Sequence, residues 1–230
     1  MSMFDLPPLP EVPIIGESDT YPLRRIFCVG RNYAAHAREY GFEPDLEAPF
    51  YFTKSPASAV LSGAETPYPP NTESYHFELE LAVYLKAPLF RATREEAVAA
   101  IYAYGCALDM TRRDLQIRER KKQRPWDLGK DVENSAVFAP ATKAADFGTV
   151  AAQRISLTQN GTMKQDSTLD LMLHDVAAVL CDLSGYYHLG AGDVIMTGTP
   201  EGVGPVQPGD LIEGRIDGLE PISLRITDPA

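Results

Sequence analysis

Cysteine is scarce in this chain. Three occur in 230 residues, Cys28, Cys106 and Cys181, odd in number and without Cys-x-x-Cys spacing, so neither a disulfide framework nor a sulfur-ligated metal is expected. They lie in apolar strings such as IFCVG and YGCAL and read as buried free thiols. Positive charge is also short: 21 Lys and Arg face 32 Asp and Glu, a net charge of −11. That balance repels phosphate backbones and anionic lipid, so no nucleic acid and no membrane is expected as a partner. The longest apolar run, roughly residues 97–110, falls short of the ~18–20 residues of a membrane span and contains Gly105 and Asp109. The start, MSMFDLPPLPEVPII, has neither the basic beginning nor the apolar stretch of a secretory signal, so the expected address is the cytoplasm. A GxSxG elbow, a Walker lysine and an internal repeat are all missing, which weakens serine-hydrolase and nucleotide-binding readings.

What is present suits a globular protein: 44% hydrophobic and 23% charged residues can build a sizeable core. Residues 1–22 hold five of the 19 prolines and are expected to form an extended N-terminal arm, leaving residues 23–230 as a single domain. Arg24 to Gly30 is a strand candidate, and NYAAHAREYG after it has helical character with Gly41 as C-cap. The strings PFYFTKS, SAVLSG and YHFELELAVYL are strand-like. Thr93 and Glu96 have capping-box spacing ahead of a helix expected to about Tyr102. A strand, YGCALDM, then leads into TRRDLQIRERKKQ, an exposed and partly helical segment. Asn160-Gly161 between two alternating stretches predicts a hairpin, LDLMLHDVAAVLCDLSGYY an amphipathic helix, and the remainder three short strands. Strands outnumber helices without alternating regularly with them, so the expected class is α+β and β-rich, not a doubly wound sheet.

Carboxylates dominate the candidate chemistry. In HFELEL, strand alternation places Phe77, Leu79 and Leu81 on one face and His76, Glu78 and Glu80 on the other, with the two glutamates ~6.5–7 Å apart at the backbone. On an exposed face such a pair is ordinary; on an enclosed one it needs a cation. Asp109 ends a strand too apolar to be solvated on both sides. Two Glu and one Asp describe a hard-cation site for Mg²⁺ or Mn²⁺, with His76 a spectator. His36 and Glu39, three apart on a helix, form either a surface pair or an acid–base dyad. Lys54 and Lys130 sit in apolar or glycine-bearing contexts, as snorkelling side chains or as cations for an anionic substrate. The hydroxyls of Thr197 and Thr199 and the amides of the glycine-rich stretch beside them could bind a carboxylate.

Six strings in order, GRNYAAHAREYG, FTKS, HFELEL, LDMTRRDLQ, PWDLGK and TGTPEGVGP, resemble the fumarylacetoacetate hydrolase family, and within it the smaller acylpyruvate hydrolases. The resemblance runs from about Arg25 to the C-terminus. It implies a mixed β-sandwich roll, a homodimer, and Mg²⁺ or Mn²⁺ held by Glu78, Glu80 and Asp109. By the same matching, His36 and Glu39 are a water-activating dyad on a lid, and Lys130 stabilises an oxyanion. Arg31, Lys54, Arg113, Gln116 and Thr199 are substrate-binding positions. The implied reaction is hydrolysis of the C–C bond of a 2,4-diketo acid, with fumarylpyruvate giving fumarate and pyruvate in aromatic (gentisate) breakdown. An oxaloacetate decarboxylase, or another keto-acid hydratase or isomerase of the family, is the alternative. The string KDVENSAV departs from the family's usual KxFDxSAP and bears on substrate detail. The acyl tail is expected to meet loops at residues 43–49 and 118–126.

Overall fold

The computed structural model describes residues 3, 4, 7–39, 41, 43 and 48–230. Within the expected arm, β1 (Glu11–Pro13) and β2 (Thr20–Pro22) pair as an antiparallel hairpin. Val12, Ile14 and Tyr21 are buried under it, and the N–H of Ile15 reaches the Ala141 carbonyl, so this segment is clamped onto the body. β3 (Arg25–Gly30) leads to helix α1 (Ala34–Glu39). Three strands follow, β4 (Phe50–Lys54), β5 (Ala59–Leu61) and β6 (Ala64–Pro67). The HFELEL region forms β7 (Tyr75–Phe77) and β8 (Leu79–Leu85). Helix α2 (Arg94–Ala99) carries the expected Thr93–Glu96 capping box. It stops before Tyr102, because β9 (Ile101–Asp109) takes over.

β10 (Thr111–Arg112) precedes α3 (Arg113–Lys121) and α4 (Asp127–Lys130). β11 (Ala136–Phe138), β12 (Thr142–Lys143) and α5 (Ala144–Phe147) come next. β13 (Arg154–Gln159) and β14 (Thr162–Thr168) form the predicted hairpin. Its turn needs two left-handed residues, and Asn160 and Gly161 supply φ of 51° and 76°. The amphipathic stretch becomes a helix only at α6 (Val176–Tyr186), where the Asp175 carboxylate accepts from Ala178 N–H and caps it. Four strands follow where three were expected: β15 (Asp193–Met196), β16 (Gly204–Val206), β17 (Leu211–Ile216) and β18 (Ile222–Thr227).

The strands make an eight-stranded sheet ordered β4-β3-β15-β8-β9-β11-β5, with β12 added to β9, and a five-stranded sheet ordered β14-β13-β17-β18-β6. A three-stranded sheet, β10-β7-β16, joins them at one corner. Strand pairing and packing confirm the β-rich α+β class. The main core unites Leu79, Leu81 and Val83 with Ile155, Ile212 and Leu224 of the five-stranded sheet and with Val179 and Leu183 of α6. A second core on the opposite face of the large sheet gathers Ile26, Cys28, Ala82, Tyr84 and Phe138 under the N-terminal hairpin. Each fully buried aliphatic side chain there contributes roughly 1.5–3 kcal/mol, which fixes the sheet on which the polar residues below are mounted. Cys28 and Cys106 are buried free thiols as expected, and Cys181 is half-buried.

Candidate active site

The polar end of the second face is set by β8 and β9. Leu79, Leu81, Val83 and Leu85 enter the main core, so Glu80, Ala82 and Tyr84 turn the other way. Glu80 stands opposite Ala107, one position short of Asp109 on the same face of β9. The sequence suggests one continuous strand through Glu78, but the ladder breaks there: the Leu79 N–H goes to the side-chain oxygen of Gln165 at 3.1 Å. The chain thus passes from the three-stranded to the eight-stranded sheet at Glu78, whose carboxylate lies beside the other two. Oxygens of Glu78, Glu80 and Asp109 lie within 4.8 Å of one another, and all three residues are buried. His76 does not join them; its Nε2 meets the Ser74 hydroxyl at 2.9 Å.

Three cations press on this cluster. Lys130 Nζ lies 2.6 Å from Glu78 Oε2, 2.6 Å from Asp109 Oδ2 and 2.8 Å from the Thr111 hydroxyl. Arg113 pairs with Glu78 and also donates to Gln116 Oε1 at 2.5 Å. Lys54 Nζ is 3.0 Å from Asp109 Oδ1, but its protons go to the Met110 and Lys130 carbonyls and the Ser135 hydroxyl. Asp109 Oδ1 is therefore attracted by a charge without accepting an aligned hydrogen bond. Burial opposes ionisation of Glu78, yet Lys130 and Arg113 outweigh it and hold its carboxyl well below the usual range. Glu80 is the reverse case: burial, with Asp109 and Glu78 beside it, pushes its carboxyl well up, and Lys130 and the Gly198 N–H at 2.8 Å offset this only in part. Hard oxygen donors converging on one point, one resisting ionisation and one incompletely bonded, fit a divalent cation such as Mg²⁺ or Mn²⁺.

Over the cluster lies helix α1. His36 Nδ1 is 3.2 Å from Glu39 Oε2; a carboxylate only accepts, so Nδ1 carries the proton and Nε2 is the basic nitrogen. The other Glu39 oxygen accepts from Gly202 N–H at 3.2 Å, tying the helix to the stretch that holds Thr199. Gly41 has φ of 75°, as a C-cap requires, while Tyr40 before it lies outside the described residues. A cleft of about 40 Å³ is lined by His36, Glu78, Glu80 and Lys130, and by Arg31, Arg113, Gln116 and Thr199. Asp109 sits behind this lining, as does Glu39 behind His36. Lys54 departs from its expected place: it does not line the cleft but lies fully buried behind Asp109.

The helix expected to be exposed has a working inner face, with Arg113, Leu115, Gln116 and Glu119 buried. Glu119 tolerates burial because Arg118 and Arg124 flank it. α4 packs hard against α3: a Cβ on Gly129 would lie 2.7 Å from Gln116 Cβ, so only glycine allows Lys130 to reach the carboxylates from there. Sequence reasoning passed over Phe52, which also lines the cleft, as do Arg120 and Trp126 of the expected tail segment at 118–126. Trp126 meets Phe50 edge-on at 4.8 Å and tilts against Phe52, and the Arg31 guanidinium lies 5.9 Å from its ring centre. A signal for Trp126 was its place in the PWDLGK string. The expected tail loop at 43–49 falls largely outside the described residues, since 44–47 are not among them. No helix among the described residues is long and apolar enough to cross a membrane.

Comparison with known proteins agrees with this geometry. Residues 25–227 match the fumarylacetoacetate (FAA) hydrolase C-terminal family. A fumarylpyruvate hydrolase from Ralstonia sp is 48% identical over 185 residues, covering 80% of this chain and 95% of the relative. An oxaloacetate tautomerase of Escherichia coli (strain K12) is 38% identical over 199 residues, 86% of this chain and 90% of the relative. The crystal structure of fumarylpyruvate hydrolase from Pseudomonas aeruginosa in complex with Mn²⁺ and pyruvate superimposes with a TM-score of 0.96 at 40% identity, covering 99% of this chain and 100% of that one.

Proposed function

Since the chain belongs to the fumarylacetoacetate hydrolase family, an assignment that makes it a hydrolase of carbon–carbon bonds, we propose that it cleaves fumarylpyruvate with water to fumarate and pyruvate. The observation that carries this is His36, bonded to Glu39, facing the same cleft as Glu78 and Glu80 of the carboxylate cluster: a base poised over the site is what hydrolysis needs and simple decarboxylation does not. In this reading Glu78, Glu80 and Asp109 hold a divalent cation. When bound, that cation supplies Lewis acidity that steadies negative charge on the keto-acid oxygens.

The chain's own side chains do the rest. His36, held by Glu39, takes a proton at Nε2 from the water that attacks the distal carbonyl. Lys130 sets a fixed positive charge beside the developing oxyanion, in a site too buried for water to screen it. Arg31, Thr199 and the linked pair Arg113–Gln116 hold the substrate's polar groups. Lys54, from behind, sets a positive charge against Asp109 Oδ1 and holds the carboxylate in place. Phe52 and Trp126 offer a flat apolar wall to the unsaturated tail. The bond then breaks with pyruvate leaving as its enolate, whose carbon takes back the proton that His36 removed from water. Work in aromatic (gentisate) breakdown and a homodimer belong to the same proposal and are supported by the family resemblance; a cytoplasmic address is proposed beside them.

A second reading, keto–enol exchange of oxaloacetate, is favoured by the tautomerase relative. The two part in an assay of Mn²⁺-supplemented protein with fumarylpyruvate, acetylpyruvate and oxaloacetate. Equal amounts of pyruvate and organic acid from the diketo acids, falling about 10²–10⁴-fold in His36→Ala, are expected. Exchange of oxaloacetate with no cleavage of either diketo acid would replace the hydrolase with the tautomerase.

A further inference from the structure

Gln165 belongs to β14 of the five-stranded sheet, yet its fully buried side chain reaches two strips of the active site. Its Oε1 accepts from the Leu79 N–H, between Glu78 and Glu80, at 3.1 Å. Its Nε2 donates to the Pro200 carbonyl at 2.9 Å and to the Thr199 hydroxyl at 2.8 Å. These partners leave the amide one orientation. A backbone N–H only donates and a carbonyl only accepts, so the oxygen must face Leu79 and the nitrogen must face Pro200. Thr199 is then fixed in turn: its oxygen accepts from Gln165, and its single proton is left to donate elsewhere. Thr199 lines the cleft, which places that proton before any oxygen that enters.

We propose that Gln165 is a positioning residue that holds the Thr199 hydroxyl as a donor toward a carboxylate oxygen of the bound keto acid. Such an arrangement discriminates by polarity: an anion, which only accepts, is welcomed, and a group that must itself donate is refused. The inference rests on the reading of this cleft as a keto-acid site. It assigns work to a residue far along the chain, on a sheet that supplies none of the residues lining the cleft.

The test uses the Mn²⁺-loaded protein and two readouts. One is steady-state hydrolysis of fumarylpyruvate; the other is pyruvate binding followed by fluorescence of Trp126, the sole tryptophan, which lines the cleft. Gln165→Met keeps the length and removes the donor, and with it the acceptor of the Leu79 N–H. The expected result is an increase of about tenfold in KM and in the pyruvate Kd, with kcat and Mn²⁺ affinity within about twofold, because a carboxylate is gripped equally before and during reaction. Thr199→Val should give the same loss, Thr199→Ser little, and the double variant no more than Thr199→Val alone. If Gln165→Met does not fold, Gln165→Glu keeps an acceptor for Leu79 but has one acid proton for two acceptors, and carries the same comparison. Additive losses in the double variant, or a fall in kcat and Mn²⁺ affinity at unchanged KM, would overturn the positioning role. Wild-type protein that binds pyruvate but cleaves no diketo acid would sink the hydrolase reading alone. Wild-type pyruvate binding in Gln165→Met would sink the inference alone.

Discussion

The two ends of β15 handle buried negative charge in opposite ways. At its start Asp193, with a side chain shut off from solvent, accepts from the guanidinium groups of Arg24 and Arg25 and from the Gly190 N–H. Burial there resists ionisation, but the arginines win and the carboxyl titrates below its usual range. Just past its other end the Gly198 N–H meets Glu80, whose carboxyl shares a dry cluster with two further acids and is pushed the other way. One acid with two arginines is a closed structural joint. Three acids in which one stays undercompensated are unfavourable as architecture and become sensible once a divalent cation is the missing partner. The difference between a fold-holding buried charge and a functional one is therefore the balance left over, and not burial itself.

The largest expected effect comes from neutralising the undercompensated acid. Glu80→Gln keeps shape and removes charge, so hydrolysis with saturating Mn²⁺ should fall about 10³-fold, the upper range for losing one electrostatic element of a site. The thermal midpoint of the metal-free variant should be no lower than that of wild type, since a strained charge has been removed. A metal-free variant clearly less stable than wild type would erase the contrast and make Glu80 a second Asp193.

How far this contrast could be read in advance depends on the range of the interactions. Glu78, Glu80 and Asp109 were legible because strand alternation and a charged end to an apolar strand are local patterns, and the His36–Glu39 pair because three residues is one helical turn. The break of the strand at Glu78 was not, since it depends on Gln165 arriving from 86 positions later. The seat of Lys54 behind Asp109 was hidden for the same reason; nothing near it in sequence announces Ser135 or the Met110 carbonyl. β16 escaped because a Gly-Pro-Val triplet has no alternation and becomes a strand only by completing the edge of β7. The inner face of α3 escaped because arginines on either side of Glu119 make a buried acid look solvated. Local periodicity thus pointed to the three carboxylates, and distant partners decided how they are aimed.

A middle-sized effect is expected at the other end of β15. Asp193→Asn leaves two arginines facing each other, but both keep access to water, so the cost should be about 2 kcal/mol, below that of a fully buried broken pair. The kcat should stay at the wild-type level. Because the folded carboxyl titrates below the unfolded value near 3.9, its stabilisation is complete above about pH 5 and drains away as pH falls through that value toward the depressed one. Chemical denaturation at pH 7 should separate variant from wild type, and the gap should close toward pH 3. A gap that widened in acid would reverse the assigned direction.

The smallest effect tests whether redundancy is the source of the difference. Asp193 has two arginines, and Arg24 is half exposed, so Arg24→Ala should cost no more than about 1 kcal/mol, the range of a screened ion pair. Arg25 still covers both carboxylate oxygens at 2.9 and 2.5 Å. In the carboxylate cluster Glu78 is covered by Lys130 and Arg113, and Asp109 by Lys130 and Lys54, while among the described residues no cation pairs directly with Glu80. Were Arg24→Ala to match Asp193→Asn in a denaturant titration, the joint would be as finely balanced as the active site. The structural end of the strand would then owe its tolerance to something other than a spare partner.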